Sequence, residues 1–212
     1  MMQPHMAVTP LVSPPADPGA RKGEFDQNER RRMLQWARES IARAVGAETV
    51  AAGSCDELAP KFLEVRACFI TLREQRALRG CVGHIFPEKR LWDAIRSNAC
   101  AAASRDRRFL PLTAGELTNV EIEISILGPL RPLSYQTPEA LLAQLQPPQD
   151  GVVLKAGSRV ATYLPQVWAD LPDKERFLNS LAEKAGCDAN IWRTPEASVS
   201  VYQVEAFKDS EY

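Results

Sequence analysis

The sequence is poor in histidine, carries almost no net charge and has no long apolar run. Only His5 and His84 occur among its 212 residues, which leaves little material for a serine-type catalytic triad. Since 26 Lys and Arg oppose 27 Asp and Glu, the formal net charge is −1, and a dedicated nucleic-acid-binding protein would normally be basic. No stretch approaches the roughly 20 apolar residues of a transmembrane helix. The composition therefore disfavours nucleic-acid and membrane partners.

Motifs for metals, nucleotides and secretion are also missing. There is no Cys-x-x-Cys or His-x-x-x-His pair and no glycine-rich phosphate loop, so neither a metal nor a cofactor is predicted. The prolines of the first 18 residues interrupt any signal-peptide core. Five cysteines are odd in number and widely spaced, as is typical of reduced thiols: Cys55, Cys68, Cys81, Cys100 and Cys187. These features predict a cytoplasmic protein.

The chain divides into a tail and one folded domain. Residues 1–24 are rich in proline and small side chains and predict a disordered tail, which leaves 25–212 as a single domain. Apolar spacing and capping residues predict helices near 26–45, 91–103, 137–145 and 173–185. Alternating patterns predict strands at 66–73, 77–84, 119–127 and 198–207, with a hairpin over 151–163. Helices and strands do not alternate regularly, which predicts an α+β fold with a mixed or antiparallel sheet flanked by helices.

The most unusual segment is Leu-Arg-Gly-Cys-Val-Gly-His at 78–84. Glycine weakens a strand and often marks a bulge or the close approach of a ligand or another backbone, which makes Gly80 and Gly83 candidate ligand-binding positions. In a regular strand Arg79 lies on the same face as Cys81, where a cation would favour the nucleophilic thiolate. A small buried cysteine in a tight hairpin is the alternative. His84 could act as a base for Cys81 only if the strand bulges or turns at Gly83, because residues three apart in a regular strand point to opposite faces.

Two further groups of charged residues are candidates for binding or acid–base chemistry. Glu121 and Glu123 share one face of the strand 119–127, where they are either solvated or paired with arginines. A hairpin that carries Cys81 could lie beside them in one sheet. Arg108 belongs to a charged loop with Asp106, in which an arginine could clamp an anionic ligand or pair with the aspartate and fix the loop.

These residues resemble a known family. The segment 78–83, the Ala-Ala-Ala run at 101–103 with the loop after it, and the segments 121–127, 150–152, 164–168 and 177–186 together resemble the AMMECR domain family, also called AmmeMemoRadiSam system protein A. The resemblance covers about 26–207. It implies a larger and a smaller lobe with a cleft near Arg79, Gly80, Cys81 and Gly83. It also implies a Memo-type protein and a radical SAM protein as partners, without an established reaction.

Two functional hypotheses follow, of different classes. The first is a cytosolic binding or accessory protein whose cleft accepts a small molecule or peptide. The second is a cysteine-dependent enzyme of acyl or thiol transfer, in which Cys81 is the nucleophile, Arg79 activates it, and Glu123 or His84 is the acid or base. Nucleic-acid binding through the arginines at 30–32 and 105–108 is a third and weaker alternative.

Overall fold

The computed structural model describes residues 23–47 and 58–212, and the prediction of a disordered tail falls outside them except for residues 23 and 24. The fold is α+β, as predicted, with two four-stranded antiparallel sheets among the described residues where one sheet was expected. The helices are α1 (Gln27–Ala44), α2 (Leu91–Ser104), α3 (Pro138–Gln144) and α4 (Lys174–Lys184). The strands are β1 (Cys68–Glu74), β2 (Ala77–Gly83), β3 (Val120–Leu127), β4 (Arg131–Pro132), β5 (Gly151–Ala156), β6 (Arg159–Tyr163), β7 (Ala197–Tyr202) and β8 (Val204–Lys208). Within the described ranges, no helix is long and apolar enough to cross a membrane.

The first sheet has the strand order β2-β1-β3-β8 and packs one face against α1 and α2. A capping box begins α1, since the Asp26 side chain accepts a hydrogen bond from the backbone N–H of Glu29 and the Glu29 side chain accepts one from the backbone N–H of Asp26. Alternate strand residues that point to the helices form the core with them: Ile70, Leu72, Ile122, Ile124 and Ile126. The other residues of these strands, by the same alternation, occupy the opposite face of the sheet.

The second sheet has the order β4-β7-β5-β6 and a separate apolar cluster with α3 and α4. Trp168, in a short 3₁₀ helix over Pro165–Ala169, stacks on Phe177 of α4 with ring centroids 3.6 Å apart. The Trp168 indole N–H donates to the backbone oxygen of Asp150 at 2.7 Å. This segment is thereby fixed against both α4 and the start of β5.

The strand predicted at 198–207 is two strands that belong to different sheets. The chain leaves β7 in the second sheet, passes Gln203 and enters β8 in the first. The backbone oxygen of Gln203 accepts a hydrogen bond from the backbone N–H of Gly128. At Gly128 the chain makes its other crossing, from β3 in the first sheet to β4 in the second. A third cluster, with Leu127, Val153 and Tyr202, fills the junction. Hydrophobic alternation could not separate these strands, because each buries the same kinds of residues in its own sheet.

A buried carboxylate of β8 fixes the N-terminal end of the described chain. Glu205, 3% exposed, accepts hydrogen bonds from the backbone N–H groups of Glu24 and Phe25 and pairs with Arg30 at 2.8 Å. Arg30 belongs to the arginine run that was a candidate nucleic-acid contact. Its neighbour Arg32 lies over the ring of Trp36. These contacts assign structural roles to Arg30 and Arg32.

Candidate functional site

The β1–β2 hairpin contains a bulge that changes the direction of Arg79. Leu72 of β1 pairs with Gly80 and Arg73 pairs with Leu78, so Arg79 is an extra residue without a partner in β1. Its guanidinium donates to Oε1 of Glu116 at 2.9 Å and to the backbone oxygen of Leu110 at 2.9 Å. The predicted pairing of Arg79 with the Cys81 sulfur is therefore not present, because the bulge interrupts the alternation on which it depended.

The two glycines of the motif allow close packing. A Cβ atom at Gly80 would lie 2.3 Å from the backbone oxygen of Ala102 in α2. A Cβ atom at Gly83 would lie 2.4 Å from the Phe69 ring and 2.5 Å from the oxygen of Cys68. The predicted close approach of another backbone is thus observed at both positions. At Gly80 strand β2 lies directly on α2. These contacts explain why both positions are glycine, and no bound ligand is needed for the explanation.

Cys81, Thr71 and Glu123 form a row across three neighbouring strands. Thr71 of β1 is the register partner of both Cys81 in β2 and Glu123 in β3. The Thr71 hydroxyl donates to the Cys81 sulfur at 3.4 Å. Two strand spacings separate Cys81 from Glu123, or roughly 10 Å between their Cα atoms. The expectation that the cysteine hairpin lies beside these carboxylates agrees with this register, and the row lies on the sheet face opposite the helices.

The loop after α2 holds the outer edge of β2 at Cys81. Oδ2 of Asp106 accepts a hydrogen bond from the Cys81 backbone N–H at 2.9 Å. Arg108 donates to both carboxylate oxygens of Asp106, at 3.0 and 2.7 Å, and lies 3.5 Å from the Cys81 backbone oxygen. The Arg108 hydrogen bonds, with those from the backbone N–H groups of Cys81 and Arg108, lower the pKa of Asp106 to about 2. The sequence left open whether Arg108 clamps an anionic ligand or pairs with Asp106 to fix the loop. In the structure Arg108 pairs with Asp106.

Two side chains from elements that pack with the second sheet, Gln166 and Lys184, lie on the side of the row away from α1 and α2. Gln166, in the 3₁₀ helix beside Trp168, donates to Oε1 of Glu123 at 3.1 Å. Lys184, the last residue of α4, donates to the backbone oxygen of Thr162 and lies 4.7 Å from the centre of the Tyr163 ring. Partial burial of its ammonium group is the main cause that lowers the pKa of Lys184, and the nearby Arg108 charge lowers it further. The charge of a Cys81 thiolate raises the pKa of Lys184 and, with the larger contribution of Asp106, that of Arg108.

Two predicted site residues lie apart from this row. His84 follows β2, is exposed, and borders a small pocket with Cys68, Phe86 and Asn98. No hydrogen bond among the described residues joins it to Cys81, and strand pairing remains regular from Gly80 to Gly83, so the bulge required for a Cys–His pair is absent there. Glu121 is on the same face as Glu123, and its pKa is lowered by a hydrogen bond from Ser210 and by the charge of Lys208.

Three residues of the site had no separate signal in the sequence. Thr71, Gln166 and Lys184 are common polar residues that come from β1, the segment before α4 and the end of α4. Gln166 and Lys184 lie in segments that carried the family resemblance, without a motif of their own. Strand pairing brings Thr71 beside Cys81, and the position of the 3₁₀ helix brings Gln166 to Glu123.

The comparisons with known proteins identify the family of this chain. The AMMECR1 family model matches residues 34–207. The chain is 38% identical over 157 residues to Protein Mbar_A1807 of Methanosarcina barkeri, which covers 73% of this chain and 76% of that relative. It is 34% identical over 155 residues to a protein of Methanothermobacter thermautotrophicus, with 73% and 81% covered.

A solved structure is similar to this chain in fold. The crystal structure of the uncharacterized protein PH0010 from Pyrococcus horikoshii matches with a TM-score of 0.76 at 27% identity, and covers 83% of this chain and 89% of that one. The fold is thus that of an α+β protein with two antiparallel sheets. The chain belongs to the AMMECR1 family, which confirms the resemblance seen in the sequence.

Proposed function

We propose that the chain is a cytoplasmic binding or accessory protein, whose ligand is a small molecule or peptide. The ligand binds in a cleft between two lobes, over the row of Cys81, Thr71 and Glu123. The observation that carries this proposal is the approach of a side chain from the second half to the row, with Gln166 hydrogen-bonded to Glu123. Such a preformed surface, built on strands and helix ends, loses little conformational freedom when it binds.

The charge pairs around Cys81 favour binding over catalysis. Asp106 is held by Arg108, and Arg79 is held by Glu116, so these groups fix the shape of the surface. Among the described residues, no carboxylate or imidazole makes a hydrogen bond to the Cys81 sulfur, whose hydrogen bond is to the Thr71 hydroxyl. A nucleophile is normally activated by a base within hydrogen-bond reach.

The family resemblance supports two partners for this accessory role, a Memo-type protein and a radical SAM protein. The test uses purified full-length chain with each partner and alkylation by iodoacetamide, read by mass spectrometry. A bound partner is expected to slow alkylation of Cys81 and to leave the partly exposed Cys187 unchanged. Glu123→Gln is expected to weaken this protection, while Glu183→Gln, at an exposed position of α4, preserves it. Equal alkylation of Cys81 with and without both partners would contradict the proposal.

Cysteine-dependent acyl or thiol transfer is the second candidate, favoured by the polar surroundings of the sulfur. The Thr71 hydroxyl donates a hydrogen bond to the Cys81 sulfur, and the Arg108 guanidinium approaches the Cys81 backbone oxygen. In this reaction the Cys81 thiol would give its proton to a water molecule. The sulfur would then form a bond to an acyl carbon, while the bond to the leaving group breaks and that group takes the electron pair and the proton.

The two candidates differ in how Cys81 reacts in the free protein. Transfer chemistry predicts that Cys81 is alkylated faster than Cys187 at neutral pH, and that Lys184→Gln slows this reaction several-fold. Lys155→Gln, at an exposed position of β5, is the matched control. Arg79→Gln should have no effect, since its guanidinium is held by Glu116. If Cys81 reacts no faster than Cys187, the enzyme candidate fails and the binding proposal stands unaffected.

A further inference from the structure

The two edges of the first sheet differ in how they are covered. At the β2 edge the side chain of Asp106 accepts a hydrogen bond from the backbone N–H of Cys81. At the opposite edge β8 pairs with β3 alone in the part of the chain that the structure describes. An edge strand of this kind presents backbone N–H and C=O groups that can pair with an added strand.

The hydrogen bonds of β3 define which backbone groups of β8 face outward. The backbone N–H of Leu127 donates to the oxygen of Ala67, just before β1, and so points away from β8. Directly opposite residues of an antiparallel pair either face each other or both face away. Val204, the register partner of Leu127, therefore points its backbone groups away from β3, and alternation gives Ala206 the same direction. Among the described residues, no backbone hydrogen bond reaches these outward groups.

These two residues also line a groove of about 900 Å³. Prolines from three other segments contribute to its walls: Pro147, Pro148, Pro165 and Pro172. Because proline has no backbone N–H, these walls lack the donors that a further strand would need. A second copy of the chain would bring the strands behind its own β8 against these prolines. The groove therefore favours one extended segment of a partner protein.

The side chains of the groove favour an uncharged segment. No Asp, Glu, Lys or Arg is among the described residues that line it. Its polar side chains are the amides of three exposed glutamines, Gln149, Gln166 and Gln203. An amide both donates and accepts hydrogen bonds, as the peptide groups of an extended chain do. A charged side chain would lose hydration in the groove without gaining an opposite charge.

We propose that β8 binds an uncharged, extended segment of a partner protein as a fifth strand of the first sheet. The outward backbone groups of Val204 and Ala206 form the new ladder, and the glutamine amides bind peptide groups of the segment. Gln166 also donates to Glu123, so the occupied groove adjoins the Cys81 row. This inference goes beyond the proposed function, because binding at β8 requires no group of the row.

Residue-resolved amide hydrogen exchange, measured by NMR on the full-length chain, tests this proposal. The probe is the end-capped hexapeptide acetyl-Val-Thr-Val-Thr-Val-Thr-amide at millimolar concentration. The amides of Val204 and Ala206 should exchange several-fold more slowly with the probe, because the added strand protects them. The amides of β6, an edge strand of the second sheet, should not change. The same peptide methylated at every backbone nitrogen, or with glutamate in place of threonine, should have no effect.

Variants of the groove separate strand pairing from other modes of binding. Ala206→Pro removes an outward N–H without removing a hydrogen bond to β3. The probe should then no longer slow exchange at Val204, while the inward amide of Phe207 stays slow and reports an intact sheet. Ala206→Ser keeps the N–H and is the matched control. Ala169→Arg, at an exposed position in the groove, should also prevent protection, and Ala143→Arg, at an exposed position of α3, should preserve it.

The contrary results each overturn the proposal. Unchanged exchange at Val204 and Ala206 excludes β8 as the binding strand, and equal protection by the methylated peptide excludes a backbone ladder. Exchange that slows with protein concentration in the absence of the probe shows that the edge binds a second copy of the chain. None of these measurements involves alkylation of Cys81, so failure of this inference and failure of the proposed function are distinguishable.

Discussion

The backbone N–H of Cys81 donates a hydrogen bond to Oδ2 of Asp106, a residue in the loop that follows α2. This bond occupies the outer edge of β2, where Arg108 also approaches the Cys81 oxygen. An uncovered edge strand can pair with another chain. The loop therefore positions the cysteine strand and protects its edge.

Asp106→Ala should reduce stability. It leaves the Cys81 amide without its acceptor and Arg108 without its partner, and we expect the free energy of unfolding to fall by about 1–3 kcal/mol. Urea unfolding followed by circular dichroism measures the change. Asp170→Ala, at an exposed position, should change it by less than about 0.5 kcal/mol. Equal stabilities of the two variants would contradict a structural role for the Cys81–Asp106 bond.

The free energy of unfolding should fall as the solution becomes acidic, because the carboxylates of Asp106 and Glu116 become protonated. Contacts with Arg108 and Arg79 lower the pKa of Asp106 and of Glu116 to about 2, against ordinary values of 3.8 and 4.5. Because the folded protein holds these protons less tightly than the unfolded chain, the stabilisation is complete above the ordinary values and is lost as the pH falls toward 2. Urea unfolding at pH 5 and at pH 3 should show this loss, and Asp106→Asn should reduce it.

Gly80→Ala should destabilise the contact between β2 and α2. The new methyl group would lie 2.3 Å from the oxygen of Ala102, so backbone has to move, and overpacking of this kind costs about 1–3 kcal/mol. At Gly115 an added Cβ meets nothing within 4 Å, which makes Gly115→Ala the matched control. Thermal unfolding should give a lower midpoint for the first variant alone. A Gly80→Ala protein as stable as the control would show that β2 and α2 separate at little cost.

Glu205→Ala should lower the free energy of unfolding by about 3–5 kcal/mol, which is more than the loss expected for Asp106→Ala or Gly80→Ala. It removes a buried carboxylate and leaves Arg30 and the amides of Glu24 and Phe25 without their acceptor. Glu205→Gln retains an acceptor and should lose less. Chemical unfolding compares both variants with Glu183→Ala, an exposed position of α4. A similar stability for all three would exclude Glu205 as the anchor of the N-terminal end.

Local patterns in the sequence were sufficient for most elements. Asp26, Thr137 and Asp173, the first residues of three predicted helix ranges, each accept a hydrogen bond at the start of a helix. Gly46, Gly157 and Gly186 have positive φ at the predicted ends and turn. These signals act within a few residues of the chain, where spacing alone determines the contact.

The parts that were not predicted depend on distant contacts. The Arg79 bulge is a mismatch between two strands, which neither strand encodes by itself. The split of 198–207 at Gln203 is defined by which sheet each half joins. The approach of Gln166 and Lys184 to the cysteine row follows from the position of the 3₁₀ helix and α4. Hydrophobic periodicity identifies a buried face but not its partner.

The placement of β8 has a consequence for synthesis of the protein. The first sheet collects β1, β2 and β3 and takes its fourth strand, β8, from beyond the whole second sheet in the sequence. A chain emerging from the ribosome therefore exposes the edge of β3 until β8 has been made, while the second sheet is already being made between the two parts. Premature termination after β7 would damage the N-terminal half of the protein, which lies farthest from the lesion in sequence.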